Sequence, residues 1–300
     1  MSHHMPVETG LNTHLELWAA CEGDVNKYTN EVGYPCSRQL AGAFAPRQET
    51  NGQSNVIRRS LIYSVTPRPR WLWELNSVEE FVSCYIGIVE IHHYALTSAH
   101  VLHSDINGEN AMYCRTPDGK VLGFLNDWDL ACFVGPLDLS ESSTSQHRTG
   151  TGPFMAIDLQ QPDNEGKSPK RDHRYCHDLE SLFWLLVWAV LHFDLKAGSR
   201  RKCELKEWDG DWQTAALFKN SFLTNAGTQN RILKMALKPY AGLVKRWILP
   251  LADMFQDARH NCEKSRDAEG FKIFDHEMYA KEITFEKFME IIGVRPRQWG

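Results

Sequence analysis

The sequence predicts an α+β fold, mainly helical, with a small β-hairpin at one edge. Three observations carry that expectation. Ser77 opens a run with Glu80 three residues later and apolar Val78, Phe81, Val82, Tyr85, Ile88 and Val89 at helical spacing, a capping signal followed by an amphipathic helix. Ala111–Cys114 and Val121–Leu125 flank a turn at Pro117-Asp118-Gly119, the pattern of a short hairpin. Asp178 to Phe193 is apolar on nearly every face, including Leu182, Phe183, Trp184, Leu186, Trp188 and Leu191, so it belongs at the centre of a domain.

The remaining elements follow in order. Residues 1–56 hold a helical hint around Leu11 to Cys21 and then a polar stretch from Asn30 to Asn55 rich in Gly, Asn, Gln and Pro, expected to be irregular. Leu61 to Val65 reads as a strand stopped by Pro67-Arg68-Pro69. A Ser/Thr-rich loop at Ser140 to Ser145 precedes the central helix, and helices over Val244 to Cys262 and Thr284 to Ile292 follow it. The chain therefore divides into residues 1–56 and a predominantly helical unit over 57–300.

Composition narrows the function classes. A net charge of −5 gives no reason to expect nucleic acid as a partner, so any phosphate recognition must be local. Cysteines 21, 36, 84, 114, 132, 176, 203 and 262 lack the close pairs of a zinc site or disulfide framework, which implies reduced thiols in an intracellular, soluble protein. No apolar run is long enough to span a membrane, and Met-Ser-His-His-Met-Pro is not a secretory leader. His92, His93, His100 and His103 are close in sequence but lack metal-pair spacing and a completing carboxylate, so they are expected to be solvated or packing residues. The ten tryptophans, among them Trp71, Trp73, Trp184, Trp188, Trp208 and Trp212, are expected to be core and surface anchors.

Chemistry concentrates between the first helix and the central one. In His103-Ser104-Asp105-Ile106-Asn107-Gly108-Glu109-Asn110 an Asp is followed five positions later by an Asn, and Asp127-Trp128-Asp129 stands at the end of the hairpin. Transfer of a phosphoryl group asks little covalent work of a protein. It needs cations that neutralise developing charge and a carboxylate that orients the attacking hydroxyl. Asp105 suits the second task; the oxygens of Asn110 and Asp127 suit Mg²⁺. The hairpin would bring these distant groups together.

From about Arg58 to the mid-200s the chain resembles a fungal-type protein kinase domain. His103-Ser104-Asp105-Ile106 with Asn110-Ala111-Met112 is similar to that family's catalytic loop, and Asn126-Asp127-Trp128-Asp129-Leu130-Ala131 to its metal motif. Arg148 to Asp158 resembles the end of an activation segment, and His177-Asp178-Leu179-Glu180-Ser181-Leu182-Phe183-Trp184 the start of the central helix. The resemblance implies a protein-kinase-like fold, mostly its helical C-terminal lobe, and an ATP-dependent serine/threonine kinase with ATP and Mg²⁺ as cofactors and a protein substrate. It implies catalytic roles for Asp105, Asn110 and Asp127, with Asn110 and Asp127 at metal and nucleotide. His103 and Asp178 would support the loop, Asp178 by hydrogen-bonding its backbone. Thr149, Thr151 and Asp158 would lie in the activation segment.

The chain departs from the general protein-kinase pattern at three points, one of which, Asp129, the fungal-type family shares. Ser104 replaces the Arg that pairs with an activation-loop phosphate, so phosphorylation at Thr149 or Thr151 is not expected to activate. Asp129 stands where most kinases have Gly. Residues 1–56 show no Gly-rich phosphate loop, and Lys27 is the only lysine before Asp105. The missing Gly-rich loop and strand lysine leave a catalytically silent kinase-like binding module as the alternative. A small-molecule phosphotransferase of the aminoglycoside or choline kinase type ranks third, because Thr149 to Asp158 and His177 to Glu180 look like protein-kinase features.

Overall fold

A computed structural model of the chain describes residues 68–134, 151–161, 173–202 and 205–297. The expected helix around Leu11 to Cys21, the irregular stretch to Asn55, Lys27, the strand at Leu61 to Val65, the Ser140 to Ser145 loop and Thr149 lie outside the described residues. What is described is mostly helical, with small antiparallel sheets.

A three-stranded sheet has the order β1 (Arg70–Trp71), β3 (Ala111–Arg115), β4 (Val121–Leu125), all antiparallel. The β3–β4 hairpin is the predicted one, with Gly119 at φ +85 in its turn, where a side chain would be strained. Its register pairs Ala111 with Leu125. That pairing places Asn110 beside Asn126, whose N–H donates to the Asn110 carbonyl at 2.8 Å. A second, two-residue ladder joins β2 (Val101–Leu102) to β5 (Cys132–Phe133).

Helix α1 (Val78–Ala99) begins at Ser77, whose Oγ accepts from Glu80 N at 3.2 Å. The capping box is only half formed. Glu80 turns its carboxylate to Asn76 N at 3.0 Å and to Arg115 at 2.8 Å, because an ion pair to β3 competes with the N-cap amide. The apolar face of α1 lies on β4. A Cβ on Gly123 would run into the Cys84 backbone, so only glycine permits this approach. The helix ends at His100, in the left-handed region at φ 55.

The central helix is α3 (Tyr175–His192), preceded by the one-turn α2 (Ile157–Gln160). It starts three residues before the expected Asp178. Leu182, Phe183, Trp184, Leu186 and Leu191 are all 0 % exposed. Around it pack α4 (Trp212–Thr224), α5 (Ala226–Leu233), α6 (Leu249–Cys262), α7 (His276–Glu282) and α8 (Phe285–Ile291). Phe183 meets Phe255 at 5.0 Å between ring centroids, and Trp184 meets Trp208 edge-on at 5.2 Å. Of the tryptophans, Trp184 and Trp208 are core residues and Trp71 is exposed.

Two further details differ from the sequence expectation. Phe193 leaves the helix to form a small hairpin, β6 (Phe193–Asp194) with β7 (Ser199–Arg200), turned by Gly198 at φ +60. The helix expected from Val244 is π-helical over Val244–Ile248 before α6, since Pro250 has no N–H to return to the carbonyl of Arg246. No helix among the described residues is long and apolar enough to cross a membrane.

Gly123→Ala is expected to lower stability by about 1–3 kcal/mol through the forced separation of β4 from α1. Urea unfolding checks this, and an unchanged midpoint contradicts it.

Candidate active site

The site is assembled on the polypeptide between β2 and β3. Ser104 has φ 65, a left-handed conformation that costs a non-glycine residue free energy and persists where its surroundings demand it. The turn aims two consecutive amides at one oxygen: His103 N donates to Asp178 Oδ2 at 3.0 Å and Ser104 N at 3.3 Å. The same carboxylate takes His92 Nε2 at 2.7 Å on Oδ2 and His173 Nε2 at 2.6 Å on Oδ1. Asp178 is 0 % exposed. Burial raises the cost of its charge, but the imidazoles of His173 and His92 more than compensate and hold its carboxyl well below the usual carboxylate range.

His103 ties this loop to the second motif. Its Nδ1 accepts from Asp105 N at 3.3 Å, so Nε2 carries the proton and donates to the Asn126 carbonyl at 2.9 Å. Burial pushes the His103 imidazole down to about 4, so it is neutral at physiological pH. Its ring lies 4.5 Å from that of Trp128. Asp127, next in sequence to Asn126, has φ 59.

Asp105, Asn110 and Asp127 are brought into one neighbourhood. Asn110 Nδ2 donates to the Asp105 carbonyl at 2.9 Å and to Asp105 Oδ2 at 3.3 Å, which leaves its amide oxygen with no hydrogen bond among the described residues. The carboxyl of Asp127 is raised by burial, then by the like charges of Asp129 and Asp105. Such crowding of carboxylates beside a free amide oxygen suits a hard divalent cation. Among the described residues no group of three or more His, Cys, Asp or Glu is placed to hold a metal, so a cation here would complete its shell with nucleotide oxygens and water.

Thr151 reaches this cluster from the segment before α2. Its Oγ1 donates to Asp105 Oδ1 at 3.1 Å and accepts from Asn107 Nδ2 at 3.2 Å. Asn107 also fastens the loop upon itself, Oδ1 accepting from Glu109 N at 2.8 Å and Asn110 N at 3.0 Å. Asp158 lies away from the cluster, with Arg259 Nη1 at 2.9 Å and His276 Nδ1 at 3.0 Å. The His276 hydrogen bond and the Arg259 guanidinium keep its carboxyl low despite burial. Asp158 holds α2 in place and does not face Asp105. A small recess whose lining includes Ser104, Asp105, Thr151 and His173 lies beside the cluster.

Several participants were not singled out from the sequence. His92 is fully buried on Asp178, so it is a structural ligand of a carboxylate and not merely a packing residue. Asn107 and His173 were missed, as was Glu180, whose Oε1 accepts from Ile157 N at 2.9 Å. Polar residues within an otherwise apolar helix, such as Asp178 and Glu180, were the available signal. Asn107 offered none beyond its place in the loop.

The sequence pattern of the fungal protein kinase family matches residues 13–190, more than half of the chain. The chain belongs to the fungal protein kinase family. The match begins well before Arg58 and ends within α3. Comparison with curated proteins returns no match.

Asp178→Ala removes the shared acceptor of four donors, and the expected loss is about 3–5 kcal/mol; chemical denaturation that shows less than about 1 kcal/mol contradicts the role. A pH dependence follows from the buried imidazoles. His103 and His177, pushed down by burial to about 4 and about 3, stay neutral when folded but gain a proton in the unfolded chain below about 6.5. The unfolded state thus binds more protons between those values, and stability should fall as pH drops from about 6.5 to about 4. The depressed carboxyls of Asp178 and Asp158 lose their contribution only at lower pH, below their unfolded value near 3.9. A urea midpoint equal at pH 7 and pH 4.5 would refute the neutral assignment.

Proposed function

We propose that the protein is an ATP-dependent serine/threonine kinase, with Asp105 orienting the acceptor hydroxyl and Asn110 and Asp127 holding Mg²⁺ and, through it, the nucleotide phosphates. The observation that carries this reading is the convergence on Asp105: an amide with a free oxygen, a second carboxylate close enough to feel its charge, and an aliphatic hydroxyl at 3.1 Å. Asp105 Oδ1 already accepts from a threonine hydroxyl, the group a serine or threonine substrate presents.

Mg²⁺, when bound, neutralises charge developing on the transferring phosphoryl group. The chain's own residues do the rest. Asp105 accepts the hydroxyl proton as the new bond from oxygen to phosphorus forms and the bond to the departing ADP breaks. Asn107 and Asn110 hold the Asp105 backbone, and His103 holds the Asp127 motif beside it. Left-handed backbone at Ser104 and Asp127 flanks these groups.

Radiolabelled phosphotransfer from ATP to the chain itself and to casein tests the proposal. The expected result is incorporation by the wild-type chain that falls at least a hundredfold in Asp127→Ala. No incorporation by either protein would favour a silent binding module.

A further inference from the structure

Lys219 is the one lysine buried to 0 % among the described residues. It lies on α4, and its Nζ reaches three oxygens: the Gly152 carbonyl at 2.9 Å, the Met155 carbonyl at 2.6 Å and Gln160 Oε1 at 3.0 Å. Gln160 closes the arrangement by donating Nε2 to the same Gly152 carbonyl at 2.8 Å. An ammonium has three N–H donors and a neutral amine two, so three oxygen acceptors describe the protonated form. The residues so gathered are not remote from the chemistry. Gly152 follows Thr151, whose hydroxyl is on Asp105, and Thr151 O accepts from both Phe154 N and Met155 N.

We propose that Lys219 is a positioning residue for the acceptor side of the site: its three N–H groups draw Gly152, Met155 and Gln160 into one loop and thereby hold Thr151 against Asp105. The inference rests on the kinase reading for its consequence in activity, but not for the local order it claims. Also on α4, Trp212 packs against Met155, Ala156 and Leu159, while Lys219 bonds the carbonyls of Gly152 and Met155. Thr151 itself is also held by Asn107 Nδ2 on its Oγ1, and the anchors farther along, Glu180 to Ile157 N and Arg259 with His276 to Asp158, act on α2, six or more residues beyond Thr151.

The surroundings make the contact sensitive to protonation. Burial pushes the Lys219 ammonium down to about 7, opposed by the charge of Glu180 on α3. Of the other charged groups on packed elements, Asp158 on α2 is paired with Arg259 of α6, and Arg231 of α5 and Asp253 and Asp257 of α6 are exposed. Above neutrality Lys219 loses a donor and one of its three acceptors is released. Global stability moves the other way. The unfolded lysine keeps its proton to about 10.4, so between these values this group's contribution to stability rises with pH. Loosening of the segment with pH is therefore separable from unfolding.

The test uses the full chain as wild type and Lys219→Met, with hydrogen exchange corrected for intrinsic rates and steady-state phosphotransfer to casein. In Lys219→Met the amides of Phe154, Met155 and Leu159 should exchange at least tenfold faster, with those of α3 unchanged. The KM for casein should rise at least fivefold while that for ATP stays within twofold. Unchanged protection at 154–159, or equal changes in both KM values, overturns the proposal. If Lys219→Met does not fold, wild-type exchange from pH 6 to 9 decides: protection of the segment should fall while that of α3 holds, and a flat profile overturns it. A wild-type chain that transfers no phosphate sinks the kinase reading, and the exchange measurement still decides the role of Lys219.

Discussion

One buried carboxylate sets the geometry of the site. Asp178 is withdrawn from water inside α3 and accepts from two imidazoles and two consecutive backbone amides. A charge so placed is tolerable only while all its donors are present, since removing them leaves it desolvated and unpaired. The requirement runs in both directions. The carboxylate needs the left-handed turn at Ser104 to receive both amides, and the turn is held in that strained conformation because the carboxylate is there. The position of Asp105, one residue on, follows from this mutual constraint.

α3 carries two such acids, two positions apart and so on different sides of the helix. Asp178 faces the loop between β2 and β3; Glu180 takes Ile157 N, the Trp184 indole and the Tyr279 hydroxyl. Because α3 is buried all round, both sides are available to organise surrounding chain. The loop bearing Asp105 and the segment bearing Thr151 are thus fastened to the same rigid rod, and their meeting at 3.1 Å is a property of the core. The β3–β4 hairpin completes the arrangement by returning Asn126 to Asn110 and setting Asp127 beside them.

Periodicity and turn chemistry made α1, the hairpin and the central helix legible in the sequence, because each obeys a local rule: a Ser cap, a Pro-Asp-Gly turn, an unbroken apolar surface. The spacing from Asp105 to Asn110 and the acid after the hairpin likewise marked the groups that converge. What stayed hidden was long-range. His92, which sequence spacing marks only as a solvated or packing residue, lies 86 residues from Asp178, and Arg259 lies 101 residues from Asp158. No local pattern links such partners, and nothing in the residues around Lys219 marks it until three carbonyl and amide oxygens are seen about its Nζ. The hairpin β6–β7 was missed because Phe193 continues the apolar run of α3.

The central claim is that Asn110 and Asp127 form a nucleotide-bound metal site beside Asp105. Thermal unfolding in millimolar ATP with and without Mg²⁺ tests it most directly. A ligand at a hundred times its Kd stabilises the folded state by about 2.7 kcal/mol. The expected result is a rise of several degrees that requires Mg²⁺ and is abolished in Asp127→Ala. A melting temperature indifferent to Mg²⁺ and ATP, or a rise that survives that substitution, would contradict it.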